Sequence, residues 1–328
     1  MKKAILLASV SLLVLGGIII LVIKKPELIS PLSSISFSRK VNYHPYSFEN
    51  LQKREYYQSE VKLEELIKEE DNYTSYLFSF GVDGRRITGM ANIPKKEAKL
   101  PVAILIRGWV DEEIYQTGMG TEKMADYLAN NGFLTLAPDL LGYGGSDSAF
   151  PDMLQTRFFR PITMITLLES LENLAKADTS RVVIWSHSNG GQIALSVLEI
   201  TGREIPTSLW APVSIGFPQS ILYFADEMED RGKMIRKVVA EFEKEYDASL
   251  YSINTYFSQI KAPIIVHQGL ADEAIPWQWS DELVKQLGGL GKEITFFKYP
   301  EENHNFHFGS APLARERDLE FFQRHLNL

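Results

Sequence analysis

The sequence predicts an α/β fold in which helices cover both faces of a mainly parallel β-sheet. From Pro101 onward, short apolar runs alternate with longer stretches of amphipathic periodicity. Short apolar runs suit strands that are buried on both faces, and such strands are typical of parallel sheets. The alternation of the two patterns favours strand–helix units joined by crossovers.

Residues 101–328 are expected to form this α/β core. Its candidate strands are Val102–Ile106, Leu134–Ala137, Arg181–Trp185, Ser208–Trp210, Ile264–His267 and Ile294–Phe297. Its candidate helices are Glu122–Asn130, Ile162–Ala175, Gln192–Ile200, Ser280–Gln286 and Ala314–His325. No internal repeat or low-complexity tract interrupts the order of these segments.

An apolar run near the N-terminus predicts a membrane anchor. Residues 4–23 carry no charged side chain and lie between two pairs of lysines. A helix of that length, at about 1.5 Å per residue, crosses a hydrocarbon core roughly 30 Å thick. Residues 1–25 are therefore interpreted as an uncleaved transmembrane helix. A removed signal peptide is the alternative, but bulky residues stand where a cleavage site would need small ones.

The lysines that flank this run predict which side of the membrane the rest of the chain occupies. An N-terminal anchor that begins with lysines usually leaves its N-terminus inside, so the domain is expected on the extracytoplasmic side. Residues 26–45 are rich in Ser and Pro and are interpreted as a juxtamembrane spacer.

Residues 46–100 are predicted to extend the domain with a helix and a β-hairpin. Leu51–Glu70 is highly charged and has a loose apolar pattern, which fits an amphipathic helix or a helix followed by an extended piece. Tyr76–Phe80 and Ile87–Ile93 flank a turn that contains Asp83-Gly84, and this arrangement predicts a hairpin.

Residues 215–260 are predicted to be a helical insertion in the core. The segment carries several aromatic residues around a charged stretch, Met228–Tyr246. Two interpretations are equally supported, namely a lid over a site or a solvated helix packed on the sheet edge.

Composition excludes several classes of function. The chain has 34 Lys and Arg against 42 Asp and Glu, a net charge of −8, and no basic cluster beyond its N-terminus. Nucleic acid is therefore not an expected partner. The absence of cysteine excludes disulfides, thiolate catalysis and cysteine metal sites. His304 and His307 have no evident third ligand, so we expect no metal and no other cofactor. The oligomeric state is not indicated.

The segment around Ser188 is typical of a nucleophile elbow. It reads Ser186-His187-Ser188-Asn189-Gly190-Gly191 and stands between an apolar run and a helical stretch. An elbow needs small residues two positions before and after its nucleophile, here Ser186 and Gly190. A serine that caps a helix in a Gly-rich turn is the alternative. Ser186 departs from the usual glycine.

Two further residues supply what a serine nucleophile requires. A serine hydroxyl needs a base that takes its proton and a third group that orients the base. Asp272 and His304 each follow a candidate strand downstream of Ser188. The order Ser, Asp, His is the order found in α/β-hydrolases. Ser188 is thus the candidate nucleophile, His304 the candidate base and Asp272 the residue that orients it.

As a set, these motifs resemble those of the prolyl-oligopeptidase-like α/β-hydrolases, a group with dipeptidyl-peptidase and acylaminoacyl-peptidase relatives. The resemblance covers roughly residues 70–328 and lacks the group's β-propeller. It rests on the elbow, on Gly269–Pro276, on Tyr299-Pro300 with His304, and on Asp139–Ser146. It implies an α/β-hydrolase fold and a serine hydrolase that cleaves small ester or peptide substrates through an acyl-enzyme. The N-terminal apolar run would anchor this hydrolase in a membrane.

The resemblance also implies where the oxyanion is bound. The backbone N–H groups of Asn189 and Trp109 would be the two donors. Arg107-Gly108-Trp109 stands where the family has His-Gly-x. The departures at Arg107 and Ser186 motivate an alternative, a catalytically inactive scaffold or binding protein at the membrane. Thioester or C–C bond hydrolysis on the same scaffold is a third possibility. His187 is interpreted as a packing residue and Asp139 as a structural loop residue.

Overall fold

The computed structural model describes residues 41–328. The anchor predicted at residues 1–25 and most of the predicted spacer at 26–45 lie outside the described residues. Within residues 41–328, no helix has the length and apolar character that crossing a membrane requires.

The strands of the described residues form one nine-stranded sheet with the order β1-β2-β3-β5-β4-β6-β7-β8-β9. They are β1 Lys62–Glu69, β2 Tyr73–Val82, β3 Arg85–Pro94, β4 Leu100–Ile106, β5 Leu134–Pro138, β6 Ala177–His187, β7 Thr207–Trp210, β8 Ile264–Gly269 and β9 Ile294–Tyr299.

The six strands predicted for the core are the parallel part of the sheet. Strands β4 to β9 pair in parallel with their neighbours in that part. All seven residues of β4 are buried, which explains its uninterrupted apolar sequence. The prediction of a mainly parallel sheet is confirmed.

The N-terminal strands are antiparallel. Strands β2 and β3 pair along their whole length, and β3 joins the core by pairing with β5. Asp83 and Gly84 connect β2 to β3 with φ angles of 50° and 74°. Two successive positive φ angles suit the tight hairpin turns that match the twist of the strands.

The charged segment Leu51–Glu70 is a short helix followed by an extended piece, the second of the two possibilities. The helix ends at Lys53, and Lys62–Glu69 forms the edge strand β1. This strand is exposed over most of its length, and its register with β2 shifts twice. Charges and bulges of this kind protect a free sheet edge from pairing with other chains.

The α-helices of residues 41–328 lie between and around these strands. They are α1 Phe48–Lys53, α2 Glu122–Asn130, α3 Met153–Ser170, α4 Asn189–Thr201, α5 Gln219–Leu222, α6 Lys233–Glu243, α7 Ile253–Tyr256, α8 Trp277–Gly289 and α9 Ala311–Leu326.

Helix α3 differs most from its prediction. It begins nine residues before Ile162 and contains Pro161 in its interior. The Asp152 carboxylate caps the true N-terminus by accepting a hydrogen bond from the Gln155 N–H at 2.7 Å. A proline in a helix interior removes one backbone hydrogen bond, but the residues on both sides of Pro161 are buried, and their packing stabilises the continuous helix.

The insertion at residues 215–260 packs its aromatic residues against α3 and the N-terminal segment. The Phe158 ring of α3 lies 5.2 Å from the Phe217 ring and 5.1 Å from the Tyr251 ring. Phe242 of α6 packs on Tyr43, with ring centroids 5.1 Å apart. The insertion therefore covers α3 rather than forming a separate body.

Two apolar layers cover the sheet, one on each face. Helices α1, α3, α4 and α7 contribute to the larger layer, and α2 and α9 contribute to the other. Buried Asp318 of α9 fixes the second layer to the sheet by accepting hydrogen bonds from Ser208 and Trp210 of β7 and pairing with His267 of β8. The carboxyl ends of the parallel strands remain available for the loops that carry the candidate site.

Candidate active site

Ser188 stands on a sharp turn between β6 and α4. Its φ of 56° and ψ of −122° are unusual for a residue other than glycine. The turn also brings backbones together, since a Cβ on Gly190 would lie 2.2 Å from the Ile106 carbonyl oxygen. The Ser188 side chain makes no capping hydrogen bond to α4. These features are those of a nucleophile elbow and not of a helix-capping serine.

Ser186 is the elbow residue that departs from glycine. Its side chain is fully buried, and its hydroxyl donates a hydrogen bond to the Ser208 carbonyl oxygen at 3.1 Å. Because the hydroxyl finds an acceptor on the neighbouring strand β7, the sheet accommodates the serine.

His304 and Asp272 form a hydrogen-bonded pair. His304 Nδ1 lies 2.9 Å from Asp272 Oδ2, and the Asp272 side chain is fully buried. Asp272 follows β8 and accepts hydrogen bonds through Oδ1 from the N–H groups of Ala274 at 2.9 Å and Ile275 at 2.7 Å. The loop after β9 carries His304 to meet it.

The surroundings of Asp272 favour its ionised form. Burial by itself would raise the pKa of the carboxyl. The hydrogen bond and charge of His304, with the two backbone N–H groups, outweigh burial and hold the pKa below its ordinary value. An ionised Asp272 accepts the Nδ1 proton of His304 and leaves Nε2 able to take a proton.

Gln268 and Ser280 support Asp272 and were not singled out from the sequence. The Gln268 amide donates to Asp272 Oδ2 at 2.9 Å, and the Ser280 hydroxyl donates to the Gln268 side-chain oxygen at 2.7 Å. Both side chains are fully buried. The available signal was the polar pair His267-Gln268 at the end of an apolar run.

His187 contacts the loop that carries His304. Its Nε2–H donates to the His304 carbonyl oxygen at 2.9 Å, and the two rings lie 4.7 Å apart. Burial, aided by the nearby His304, lowers the pKa of His187 to about 4. A neutral ring that donates to a backbone carbonyl positions the loop and takes no proton at neutral pH.

Gly108 brings the loop after β4 against the nucleophile. A Cβ added at Gly108 would lie 2.9 Å from Ser188 Cβ, so only glycine allows this approach. The next residue, Trp109, has a largely exposed side chain. Within residues 41–328, neither the Trp109 N–H nor the Asn189 N–H donates to another protein group.

Arg107 is buried and firmly held. Its guanidinium lies between the rings of Tyr115 and Tyr143, at 4.4 Å and 3.9 Å from their centroids. It donates hydrogen bonds to the carbonyl oxygens of Gly108 at 2.8 Å and Asp139 at 3.0 Å. Arg107 thus joins the loop after β4 to the loop after β5.

The Asp139 carboxylate accepts hydrogen bonds from three hydroxyl groups. They are Thr88 at 2.5 Å, Tyr115 at 2.7 Å and Thr117 at 2.9 Å. Burial raises the pKa of Asp139 despite these hydrogen bonds. Asp139 therefore stabilises the loop beneath Arg107. Throughout residues 41–328, this region included, no group of three or more His, Asp or Glu side chains is arranged to hold a metal ion.

The fold and the elbow serine define a serine hydrolase of the α/β-hydrolase class. The chain belongs to the prolyl oligopeptidase family, whose sequence profile matches residues 120–328, more than half of the chain. Residues 41–328 contain no β-propeller, because their strands form a single nine-stranded sheet.

Proteins with peptidase and esterase names are similar to this chain in sequence or in fold. The chain is 24% identical over 239 residues to the uncharacterized peptidase YtmA of Bacillus subtilis, covering 70% of this chain and 86% of that protein. Acetyl xylan esterase 1 of Thermoanaerobacterium sp. superposes with a TM-score of 0.63 at 18% identity, covering 85% of this chain and 93% of that one. Pyrococcus horikoshii acylaminoacyl peptidase gives 0.58 at 19% identity, covering 78% of this chain and 42% of that one.

Proposed function

We propose that this serine hydrolase is anchored in a membrane and cleaves ester or amide bonds through an acyl-enzyme formed on Ser188. The observation that carries the proposal is the 2.9 Å pairing of His304 Nδ1 with buried Asp272. The two residues lie on the loops that follow β8 and β9, two and three strands from the strand β6 that carries the elbow. The chain order of the three residues agrees with this assignment.

The proposed reaction proceeds in two acyl transfers. Ser188 Oγ attacks the substrate carbonyl carbon while His304 Nε2 takes the hydroxyl proton, and His304 then gives that proton to the departing alcohol or amine. Water, deprotonated by the same nitrogen, attacks the acyl carbon, and His304 then returns the proton to Ser188 Oγ as the bond to the acid breaks. Asp272 keeps the Nδ1 proton in place and stabilises the imidazolium in both steps.

The backbone N–H groups of Asn189 and Trp109 are proposed to bind the oxyanion. The N–H and C=O of a trans peptide point in opposite directions. Arg107 holds the Gly108 carbonyl oxygen at 2.8 Å, and this contact fixes the direction of the Trp109 N–H in the same peptide. Arg107 would therefore replace the family's histidine as the residue that orients this donor.

The proposed substrates are small esters or peptides. The peptidase and esterase names among the relatives support both bond types. The apolar run at residues 4–23 supports the proposed anchor, with the domain on the extracytoplasmic side. A catalytically inactive scaffold remains the alternative, although the departures at Ser186 and Arg107 that motivated it both have satisfied contacts.

Labelling with a fluorophosphonate tests the proposal on the full chain in detergent. We expect the parent to be labelled and Ser188→Ala to be unlabelled, with turnover of a simple ester reduced roughly a millionfold or below detection. Ser180→Ala, a change at an exposed serine of β6, is the matched control and should be labelled. A folded parent that takes no label would favour the scaffold alternative.

A further inference from the structure

A small cavity opens beside the residue that follows the nucleophile. One face of α4 forms one wall, with Asn189, Gln192 and Ser196. Helix α3 contributes Arg157 and Arg160, and aromatic residues complete the lining. The cavity has a volume of about 30 Å³. That volume holds about two water molecules, and the two oxygens of a carboxylate occupy a similar volume.

The two arginines face this cavity without a partner of opposite charge. They are three residues apart on α3 and so share one face of the helix. Arg157 donates hydrogen bonds to two neutral groups, the Gln192 side-chain oxygen and, at 2.9 Å, the Ser220 hydroxyl. No carboxylate of residues 41–328 forms an ion pair with either arginine, and the Arg160 guanidinium has no hydrogen-bond acceptor among them.

Two acidic groups belong to the same part of the fold, Asp152 at the start of α3 and Glu199 of α4, and both are engaged or neutral. Asp152 accepts hydrogen bonds from the Gln155 N–H and the Tyr43 hydroxyl. Glu199 lies one turn beyond Ser196, and its complete burial raises the pKa of its carboxyl well above the ordinary value. Neither group compensates the two guanidinium charges.

The surroundings of the two arginines disfavour their charged forms. Burial lowers the pKa of Arg157 to about 9, and the charge of Arg160 acts in the same direction. Burial, together with the charge of Arg107, also lowers the pKa of Arg160. Two like charges removed from water destabilise each other, and an anion placed between them relieves both the desolvation and the repulsion.

We propose that this cavity binds a carboxylate of the substrate, so that the enzyme acts on esters or amides that carry a carboxylate near the scissile bond. Arg160 would hold the carboxylate through its free guanidinium, whose planar fork matches two carboxylate oxygens. Arg157, steadied by Gln192 and Ser220, would supply the second charge. The inference rests on the proposed hydrolase function and adds the chemistry of the substrate to it.

Matched substrate pairs test the inference and locate the carboxylate. One pair is the mono-4-methylumbelliferyl ester of adipic acid and its methyl ester, in which the acyl half is charged or neutral. The other is butyryl-4-hydroxybenzoate and its methyl ester, in which the leaving group is charged or neutral. In one of the pairs we expect kcat/KM to favour the anionic member at least tenfold.

Arg160→Met should reduce that preference about ten- to a hundredfold, while Arg160→Lys should retain part of it. Arg324→Met, a change at an exposed arginine of α9, is the control and should preserve the preference. Ester turnover without preference for the anionic member in either pair, or a preference that survives Arg160→Met, would overturn the inference and leave the hydrolase function standing.

Binding without turnover is measured on Ser188→Ala. Monomethyl adipate should raise the melting temperature of this variant more than dimethyl adipate does, and the additional Arg160→Met change should abolish the difference. Equal effects of the two compounds would contradict the carboxylate subsite whether or not the chain hydrolyses esters. Binding of monomethyl adipate by a chain that no fluorophosphonate labels would retain the subsite and reject the hydrolase.

Discussion

At the scale of single residues, two side chains of the candidate site differ from the family pattern and have satisfied contacts. Ser186 satisfies its hydroxyl on the neighbouring strand, and Arg107 holds a peptide of the loop that passes Ser188. A backbone donor is oriented by whatever fixes its peptide plane. A change of side chain in an oxyanion loop is therefore compatible with catalysis if the new side chain holds the same peptide.

Arg107→Met tests this function of Arg107. We expect kcat for a simple ester to fall by about a hundredfold or more, the usual effect of losing one oxyanion donor, with a smaller change in KM. Steady-state kinetics separates the two constants, and a thermal melt shows whether the variant is folded.

Arg85→Met is the matched control for Arg107→Met, because Arg85 also stacks on a ring, that of Phe150 at 4.0 Å, and also donates to a backbone carbonyl. Its kcat should stay near that of the parent. A folded Arg107→Met variant with the parent's kcat would show that Arg107 does not position the donor.

At the scale of elements, helix α4 combines the elbow with a buried acid. Glu199 is almost completely buried, and neither carboxyl oxygen has a hydrogen-bond partner among residues 41–328. Helix α1 covers this part of α4, and Gln52 donates to the Glu199 backbone carbonyl at 3.2 Å. The carboxyl is therefore kept neutral by packing and destabilises the fold when it ionises.

Glu199→Met should stabilise the protein, and the gain should grow with pH. The pKa of the folded carboxyl is raised, so above about pH 4.5 the unfolded chain binds fewer protons than the folded one, and the free energy of unfolding of the parent falls as pH rises. Methionine removes this dependence and the unpartnered oxygens. We expect a gain of at least about 1 kcal/mol near neutral pH, measured by denaturation between about pH 5 and pH 8.

The exposed residue Glu241 of α6 provides the control for this change. Glu241→Met should alter the free energy of unfolding by less than about 0.5 kcal/mol at each pH. A Glu199→Met variant that is less stable than the parent, or whose gain does not change with pH, would refute the account of a neutral buried acid.

The elements also show the limits of local patterns. The bounds of α2 agree with the sequence prediction. The helix begins where the amphipathic stretch begins, and a glycine follows shortly after the helix ends. The bounds of α3 do not agree with the prediction. Pro161 is a local signal against a helix, but contacts with the rest of the layer stabilise a helix that continues through this proline. Local patterns therefore predicted the type of each core element better than its ends.

At the scale of the whole molecule, the fold brings distant loops to one edge of the sheet. Parallel strands place their carboxyl ends on the same side, and the segments after β6, β8 and β9 carry Ser188, Asp272 and His304. The N-terminal strands β1 to β3 extend the sheet on the side of the strand order that lies away from β9. Helix α9 is fixed to the sheet through Asp318. The candidate site residues thus lie where the parallel strands end.

Deletion of residues 1–25 should release the chain from the membrane without loss of esterase activity. The apolar run lies in this segment, whereas every candidate site residue lies in residues 107–304. Ultracentrifugation of lysates measures release, and hydrolysis of a 4-methylumbelliferyl ester measures activity. Deletion of residues 26–40 is the control and should leave the chain sedimenting with the membrane. A chain without residues 1–25 that still sediments with membranes would contradict the anchor.

The sequence alone determined the parallel sheet, the elbow and the order of Ser188, Asp272 and His304 along the chain. These features follow from periodicity and from neighbouring residues, which act over a few positions. Only the tertiary structure decided that Arg107 holds the Gly108 peptide, that Gln268 supports Asp272, and that Arg160 faces a cavity without a carboxylate in residues 41–328. Such contacts join residues far apart in the chain, and they exist only when the sheet and both helical layers have packed together.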